Sequence, residues 1–192
     1  MSGDGLVEHA RAPRWTERAI ANAQRAHKIP RPPASMLDLG SGDGLTTLLF
    51  AQLGYDAHGI EINDALVGMA RENAQATQTK GTVKFAHGNY LPADIRAKLQ
   101  PQPHLILTDA PDPYYALQKQ PEDVDMFFIY PWSGQMDAVF EFFRTRAKPG
   151  ATLLAIGGEE DWDYHGDPGV QHEGTVPLGA AKRYTVYRKI IS

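Results

Sequence analysis

No cysteine occurs among the 192 residues. That absence excludes a disulfide framework, a thiolate metal centre and a cysteine nucleophile, and it fits a reducing, cytoplasmic compartment. Basic charge is not in excess either, since 19 Lys and Arg against 23 Asp and Glu give a net charge of −4. A surface built to hold phosphate backbones has the opposite balance, so a nucleic-acid partner is not expected. Long apolar runs are missing as well. No stretch approaches the roughly 18 residues of a spanning helix, and the opening MSGDGLVEHARAPRW lacks the apolar centre of a signal peptide. A soluble chain without membrane contact is the expectation. No two histidines have metal-ligand spacing, so no metal is expected. What is present is a hydrophobic content of 42%, enough to bury one sizeable core but not comfortably two.

Residues 1–13 are polar, with mobile chain or a lid over a crevice as the alternatives. Trp15, Ala19, Ile20, Ala23 and His27 then recur at helical spacing, with Thr16 as the candidate cap. Pro30, Pro32 and Pro33 stop this leading helix and send the chain, extended, into a strand over 35–39. Leu45, Leu48, Leu49 and Leu53 give the next helix an apolar face, ended by Gly54. A strand over 55–61 follows. A helix then opens at Asn63 and Asp64 with Leu66, Met69, Ala70 and Asn73 along one side, and a third strand covers 82–86.

Two apolar runs compete for the fourth strand, 104–109 and 124–130. The earlier one has the more ordinary distance from strand three. The later one is preferred, because Trp132, Met136, Val139, Phe140 and Phe143 follow it at helical spacing and an apolar strand over 151–156 comes next. Strand, helix and parallel strand make a right-handed crossover, which leaves the earlier run in an insertion. Beyond Ile156 the pattern loosens; 183–190 alternates as a strand and 175–178 reads as a shorter one. The fold expected is α/β, a doubly wound, mostly parallel sheet with helices on both faces and an abbreviated C-terminal part. Residues 1–34 form a leading segment and helix, and 35–192 one domain.

The most informative stretch is Asp38-Leu39-Gly40-Ser41-Gly42-Asp43-Gly44. A carboxylate at the end of an apolar strand meets three alternating glycines that open a helix. Glycines permit positive φ and a close backbone approach, while the helix start points N–H groups at the same crevice. The spacing is G-x-G-x-G, not the G-x-G-x-x-G that cradles a pyrophosphate. Asp38 and Asp43 would repel a pyrophosphate and suit a cationic ligand with ribose hydroxyls. Glu61, 21 residues after Gly40 at the end of the second strand, stands where an acidic residue accepts those hydroxyls.

These residues resemble the first motif and second-strand acid of the class I S-adenosylmethionine-dependent methyltransferases, over about residues 36–156. The resemblance implies a Rossmann-like methyltransferase fold, S-adenosylmethionine as cofactor, and cofactor contacts from Asp38, Gly40, Ser41, Gly42, Asp43, Gly44, Glu61 and Ile62. It also places an adenine contact just after strand three. The family usually has Gly-Asp there, whereas this chain has Gly88-Asn89, whose side-chain oxygen can accept from the adenine amine and whose amide can donate to a ring nitrogen; Tyr90 adjoins it. Tyr130-Pro131-Trp132 partly echoes the loop of amine methyltransferases, which makes Tyr130 and Trp132 candidates for the acceptor channel; packing under the crossover helix is the plainer reading. Asp109-Ala110-Pro111-Asp112-Pro113-Tyr114-Tyr115 is a looser echo, with Asp109 as a candidate base and a proline-braced surface loop as the alternative. His165 and His172 titrate in the right range for a base but have no identified partner.

The function expected is methyl transfer to a small-molecule or protein acceptor, with an amine the acceptor that the echoes favour. A noncatalytic S-adenosylmethionine-binding module that completes a partner enzyme is the alternative. A nicotinamide oxidoreductase is a third reading, opposed by the glycine spacing. Oligomeric state is left open.

Overall fold

A computed structural model describes residues 12–101, 105–107, 109–132, 134–157, 169–179 and 182–190. Five strands, β1 (Ser35–Leu39), β2 (Asp56–Glu61), β3 (Val83–His87), β4 (Met126–Ile129) and β5 (Thr152–Gly157), pair in parallel. The last two, β6 (Val170–Pro177) and β7 (Arg183–Lys189), are antiparallel. The sheet order is β3-β2-β1-β4-β5-β7-β6. The helices are α1 (Arg14–Arg25), α2 (Leu45–Gln52), α3 (Asp64–Ala76), α4 (Ala93–Arg96), α5 (Pro113–Leu117) and α6 (Met136–Arg146).

Period-two alternation gives both faces of the sheet an apolar layer. Leu37, Leu39, Phe127, Ile129, Leu153 and Ala155 share one core with Phe140, Phe142 and Phe143 of α6 and with Tyr114 and Leu117 of α5. Met36, Ala57, Met126, Phe128, Leu154 and Val186 share the other with Ala19, Ile20 and Ala23 of α1 and with Phe50 and Ala51 of α2. Strand four is the later of the two competing runs. Among its described residues, 105–107 and 109, the earlier run forms no strand: Leu105 and Leu107 pack onto the first core while Ile106 is exposed, so its apolar character serves as a cover, not as a sheet.

Several local expectations are corrected. Thr16 lies inside α1, fully buried, and Pro13 takes the cap position, with Thr16 N–H bonded to the Pro13 carbonyl at 2.8 Å. The helix stops before His27, which sits at φ +55° while His27 and Lys28 N–H groups return to the Gln24 and Ala23 carbonyls. This is a Schellman ending that glycine would ordinarily signal. On α3 the buried positions are Val67 and Ala70, while Met69 is exposed. Asn63 does cap α3, accepting from Ala65 N–H at 3.0 Å. The C-terminal hairpin has full-length strands of eight and seven residues, longer than expected at β6.

His58 on β2 is 3% exposed and its Nδ1 has no partner among the described residues. Burial lowers its pKa, against the pull of nearby Asp56. A histidine held neutral in the native state contributes stability that is lost as pH falls below its unfolded pKa. Among the described residues no helix is long and apolar enough to cross a membrane, and no group of three or more His, Asp or Glu is placed to hold a metal ion.

Candidate functional site

The register puts Leu39 beside Ile60 on one side and Ile129 on the other, so β1, β2 and β4 end together. The order of the sheet reverses between β1 and β4, the point where a crevice opens beyond the strand ends of a doubly wound fold. A crevice of about 280 Å³ lies there. One wall is Leu39, Gly40, Glu61 and Ile62; the other is Tyr130, Trp132 and Gln135; Asn89, Tyr90, Leu91, Leu105 and Ile106 line the remainder.

The turn after β1 is tied down on three sides. Gly40 and Ser41 N–H groups both donate to the Ile60 carbonyl at 2.9 Å, Gly44 N–H donates to the Ser41 carbonyl at 2.9 Å, and Asn73 Nδ2 donates to the Asp43 carbonyl at 2.9 Å. Gly40, Gly42 and Gly44 all have positive φ, at +86°, +55° and +81°. Their reasons differ. A Cβ at Gly40 or Gly42 would meet nothing within 4 Å, so bare backbone faces open space. At Gly44 it would fall 2.6 Å from the Phe85 ring and 2.7 Å from Ala70 Cβ, so this glycine lets helix and sheet pack. Gly44→Ala is therefore expected to destabilise the fold by about 3 kcal/mol, from overpacking plus left-handed strain. Urea unfolding measures this, and a loss below about 1 kcal/mol would mean that the Phe85 contact relaxes.

Of the three carboxylates expected around the ligand, Glu61 alone lines the crevice. Its Oε2 accepts from Gly42 N–H and its Oε1 from Asn63 N–H, each at 2.9 Å. Asp38 lies behind the turn, 2% exposed, and accepts from Thr47 Oγ1 at 2.7 Å. It joins the turn to α2 and does not face the ligand space. Burial pushes its carboxyl up to about 7, and nearby Glu61 and Asp43 push the same way against the Thr47 bond. The Asp43 carboxylate turns to its own helix start, 3.4 Å from Leu45 N–H. Ser41 is buried, its hydroxyl without a partner among the described residues.

Asn89 is placed as expected but bonded otherwise. Its amide donates to the Ile106 carbonyl at 2.8 Å and its oxygen accepts from Leu91 N–H at 3.0 Å. It ties the loop after β3 to the insertion, so one of its two N–H donors is engaged, and the second N–H and the second lone pair of its oxygen are left for a ligand. Tyr90 lines the crevice with its hydroxyl buried and unpartnered among the described residues, and burial raises the phenol well above its usual range. The Ile62 carbonyl sits 3.0 Å from His87 Nε2.

Tyr130 and Trp132 stand at the rim. Tyr130 is 42% exposed and Trp132 65%, so neither packs under α6 as the plainer reading had it. Asp109 is removed from the site: its carboxylate is fully exposed, outside the crevice, and ion-paired with Arg96 at 2.9 Å. Asp112 caps α5 by accepting from Tyr114 N–H at 2.9 Å. His172 lies on the edge strand β6, its Nε2 3.1 Å from Thr175 Oγ1, and His165 falls outside the described residues. Sequence reasoning missed Leu39, Leu91, Leu105, Ile106 and Gln135 as lining residues. The apolar run at 105–107, without a partner strand, was the available signal for two of them.

A family model described as a methyltransferase domain matches residues 8–156. No curated protein matches the chain. Among solved structures, an RNA methyltransferase from Salinibacter ruber in complex with S-adenosyl-L-homocysteine is similar at TM-score 0.64 and 17% identity, covering 95% of this chain and 95% of that one. A putative methyltransferase from Escherichia coli has TM-score 0.65 and 13% identity over 96% of this chain and 90% of its own. A putative methylase from Haemophilus influenzae has 0.61 and 13% over 95% and 92%. At these identities the likeness is one of fold.

Proposed function

The chain belongs to the methyltransferase-domain family, and from that premise we propose that it transfers a methyl group from S-adenosylmethionine to a small-molecule or protein acceptor met at the Tyr130 and Trp132 rim. The accepting atom that the two loop sequences favour is an amine nitrogen. Residues 35–192 are the unit proposed to carry the reaction, with α1 packed on it. One observation carries this reading: bare glycine backbone, a buried-edge carboxylate and an aromatic wall meet in a single crevice at the topological switch point.

The residues fit the cofactor. Space where a Cβ would stand at Gly40 and Gly42 admits a ligand against the backbone. Each oxygen of Glu61 takes one backbone N–H, which leaves lone pairs for ribose hydroxyls and holds the carboxylate in place. Ile62, Leu91 and Leu105 offer apolar surface for a flat base, with the Asn89 oxygen as an acceptor at its edge. When bound, S-adenosylmethionine supplies a methyl group on a cationic sulfonium. Glu61 favours that positive charge. The work left to the chain is to hold an acceptor in line and exclude water, which needs no strong base. Asp109 has no part in it.

Isothermal titration calorimetry against S-adenosylmethionine and S-adenosylhomocysteine, with NAD as control, tests the reading. Saturable one-site binding of the first two and none of NAD is expected; binding of NAD alone would overturn it. Glu61→Ala should weaken both ligands by about 1.5–3 kcal/mol, the range for hydrogen bonds to a charged group. Equal affinity in the variant would place Glu61 outside the ribose contact.

A further inference from the structure

Tyr130, which lines the crevice, is contacted by two other parts of the chain. Tyr130 follows β4; Trp15 comes from α1, its ring centroid 5.4 Å from that of Tyr130 at 35°; Lys182 comes from the foot of the β6–β7 hairpin. The Lys182 ammonium lies 4.7 Å from the Tyr130 ring centroid and donates to the Tyr130 hydroxyl. Trp132, beside them in sequence, is the most exposed aromatic lining the crevice. Arg18 is exposed one turn after Trp15, on the same side of α1.

Exposed aromatic faces accept either a flat ring or a cation. Charge decides between them here. A fixed ammonium over Tyr130 repels a second cation and attracts an anion, and the partly apolar rim makes both effects stronger than they are in bulk water. An ammonium has three N–H donors, and the Tyr130 hydroxyl takes one of them. The crevice, at about 280 Å³, is at the low end for a ligand pocket. With the adenosyl group held there, as the proposed function has it, the acceptor is read at the rim.

Resting on the methyltransferase reading above, we propose that the acceptor is a flat aromatic ring bearing an anionic group, stacked on Trp132 with its carboxylate or phosphate paired to Lys182. The accepting amine is then an uncharged nitrogen on or near the ring, and an alkylammonium acceptor is selected against. Lys182 is a specificity residue in this account, because it touches the acceptor and not the transferred methyl group.

The test is quenching of tryptophan fluorescence by four probes, with S-adenosylhomocysteine saturating: 2-naphthoate, 2-naphthamide, 2-naphthylmethylamine and uridine 5′-monophosphate. The naphthoate is expected to bind about tenfold or more tighter than the naphthylmethylamine, with the amide between them. Lys182→Met should remove that preference and leave the amide unchanged, while Trp132→Ala should weaken all of the ring probes. Comparison of 2-naphthoate with uridine 5′-monophosphate tells a carboxylate-bearing acceptor from a nucleotide one. Equal or tighter binding of the naphthylmethylamine, or a preference that survives Lys182→Met, would overturn the proposal. S-adenosylhomocysteine affinity is expected to be unchanged in Lys182→Met; its absence in the wild type would sink the methyltransferase reading instead.

Discussion

Gly42→Val is expected to abolish cofactor binding in a chain that still folds. Gly42 has φ +55°, and a Cβ there meets nothing within 4 Å beyond its chain neighbours, so a side chain leaves the backbone into open space. It costs the fold about 1–3 kcal/mol in left-handed strain, well within a typical domain stability of about 5–15 kcal/mol. The ligand space is affected far more. A branched side chain would stand where the backbone is bare, and the strained turn would present the Gly42 N–H to Glu61 less well. The loss in S-adenosylhomocysteine affinity is expected to exceed about a hundredfold, or about 2.7 kcal/mol. Calorimetry beside a thermal melt checks both halves. Unchanged affinity would remove the glycine turn from the cofactor site, and an unfolded variant would mean that the turn is needed by the fold itself.

The second large effect is on stability as pH changes, and it comes from Asp38. Burial raises its carboxyl from the ordinary aspartate value of about 3.9 to about 7. Between those two values the native chain keeps a proton that the unfolded chain has released. Stability from this group is therefore full below about pH 4 and falls as pH rises to about 7, by on the order of 4 kcal/mol in all. His58 acts in the opposite direction, since its lowered pKa makes the fold less stable as pH falls through the unfolded histidine range. The two overlap between about pH 5 and 7. Asp38→Asn isolates the first: its amide oxygen can still accept from Thr47, and it never ionises. The variant should be more stable than wild type at pH 8, and the difference should shrink or reverse at pH 5, in urea unfolding at both values. A difference independent of pH would show that Asp38 is ionised throughout.

Much of the fold was legible because burial leaves a period in the sequence. The strand at 35–39 and the glycine turn after it were read to the residue, and the later run was correctly chosen as strand four because a helix and a further strand follow it. The errors come from places where tertiary contacts replace a local signal. Proline held the α1 cap position in place of Thr16, and a histidine took the left-handed ending that glycine usually marks. Met69 was placed on the buried face of α3, but the surface that α3 meets is Phe85 and α2, which selects Val67 and Ala70. In the site, sequence gives chemistry but not direction. Asp38, Asp43 and Glu61 are the same kind of group, yet two of them serve the turn and one lines the crevice. Asp109 was singled out by an echo of composition, and its exposure and its pairing with Arg96 were invisible in the chain. Leu105 and Ile106 were noticed as apolar and left in an insertion without an assigned surface, because a lone run covering a crevice has the same pattern as a buried strand.

A second cavity of about 290 Å³ shares Asn89 and Leu91 with the crevice and is lined by Arg96, Pro111, Tyr114 and Arg146 on its far side. This neighbour makes one measurement decisive for the central claim that the glycine turn, Glu61 and the loop after β3 hold the cofactor. Amide chemical shifts of ¹⁵N-labelled protein, followed through a titration with S-adenosylhomocysteine, read both places at once. The account predicts the largest changes at Gly40, Gly42, Glu61, Ile62, Asn63 and Tyr90, with little at Arg96 or Arg146. Changes centred on Arg96 and Arg146 with a silent glycine turn would contradict it.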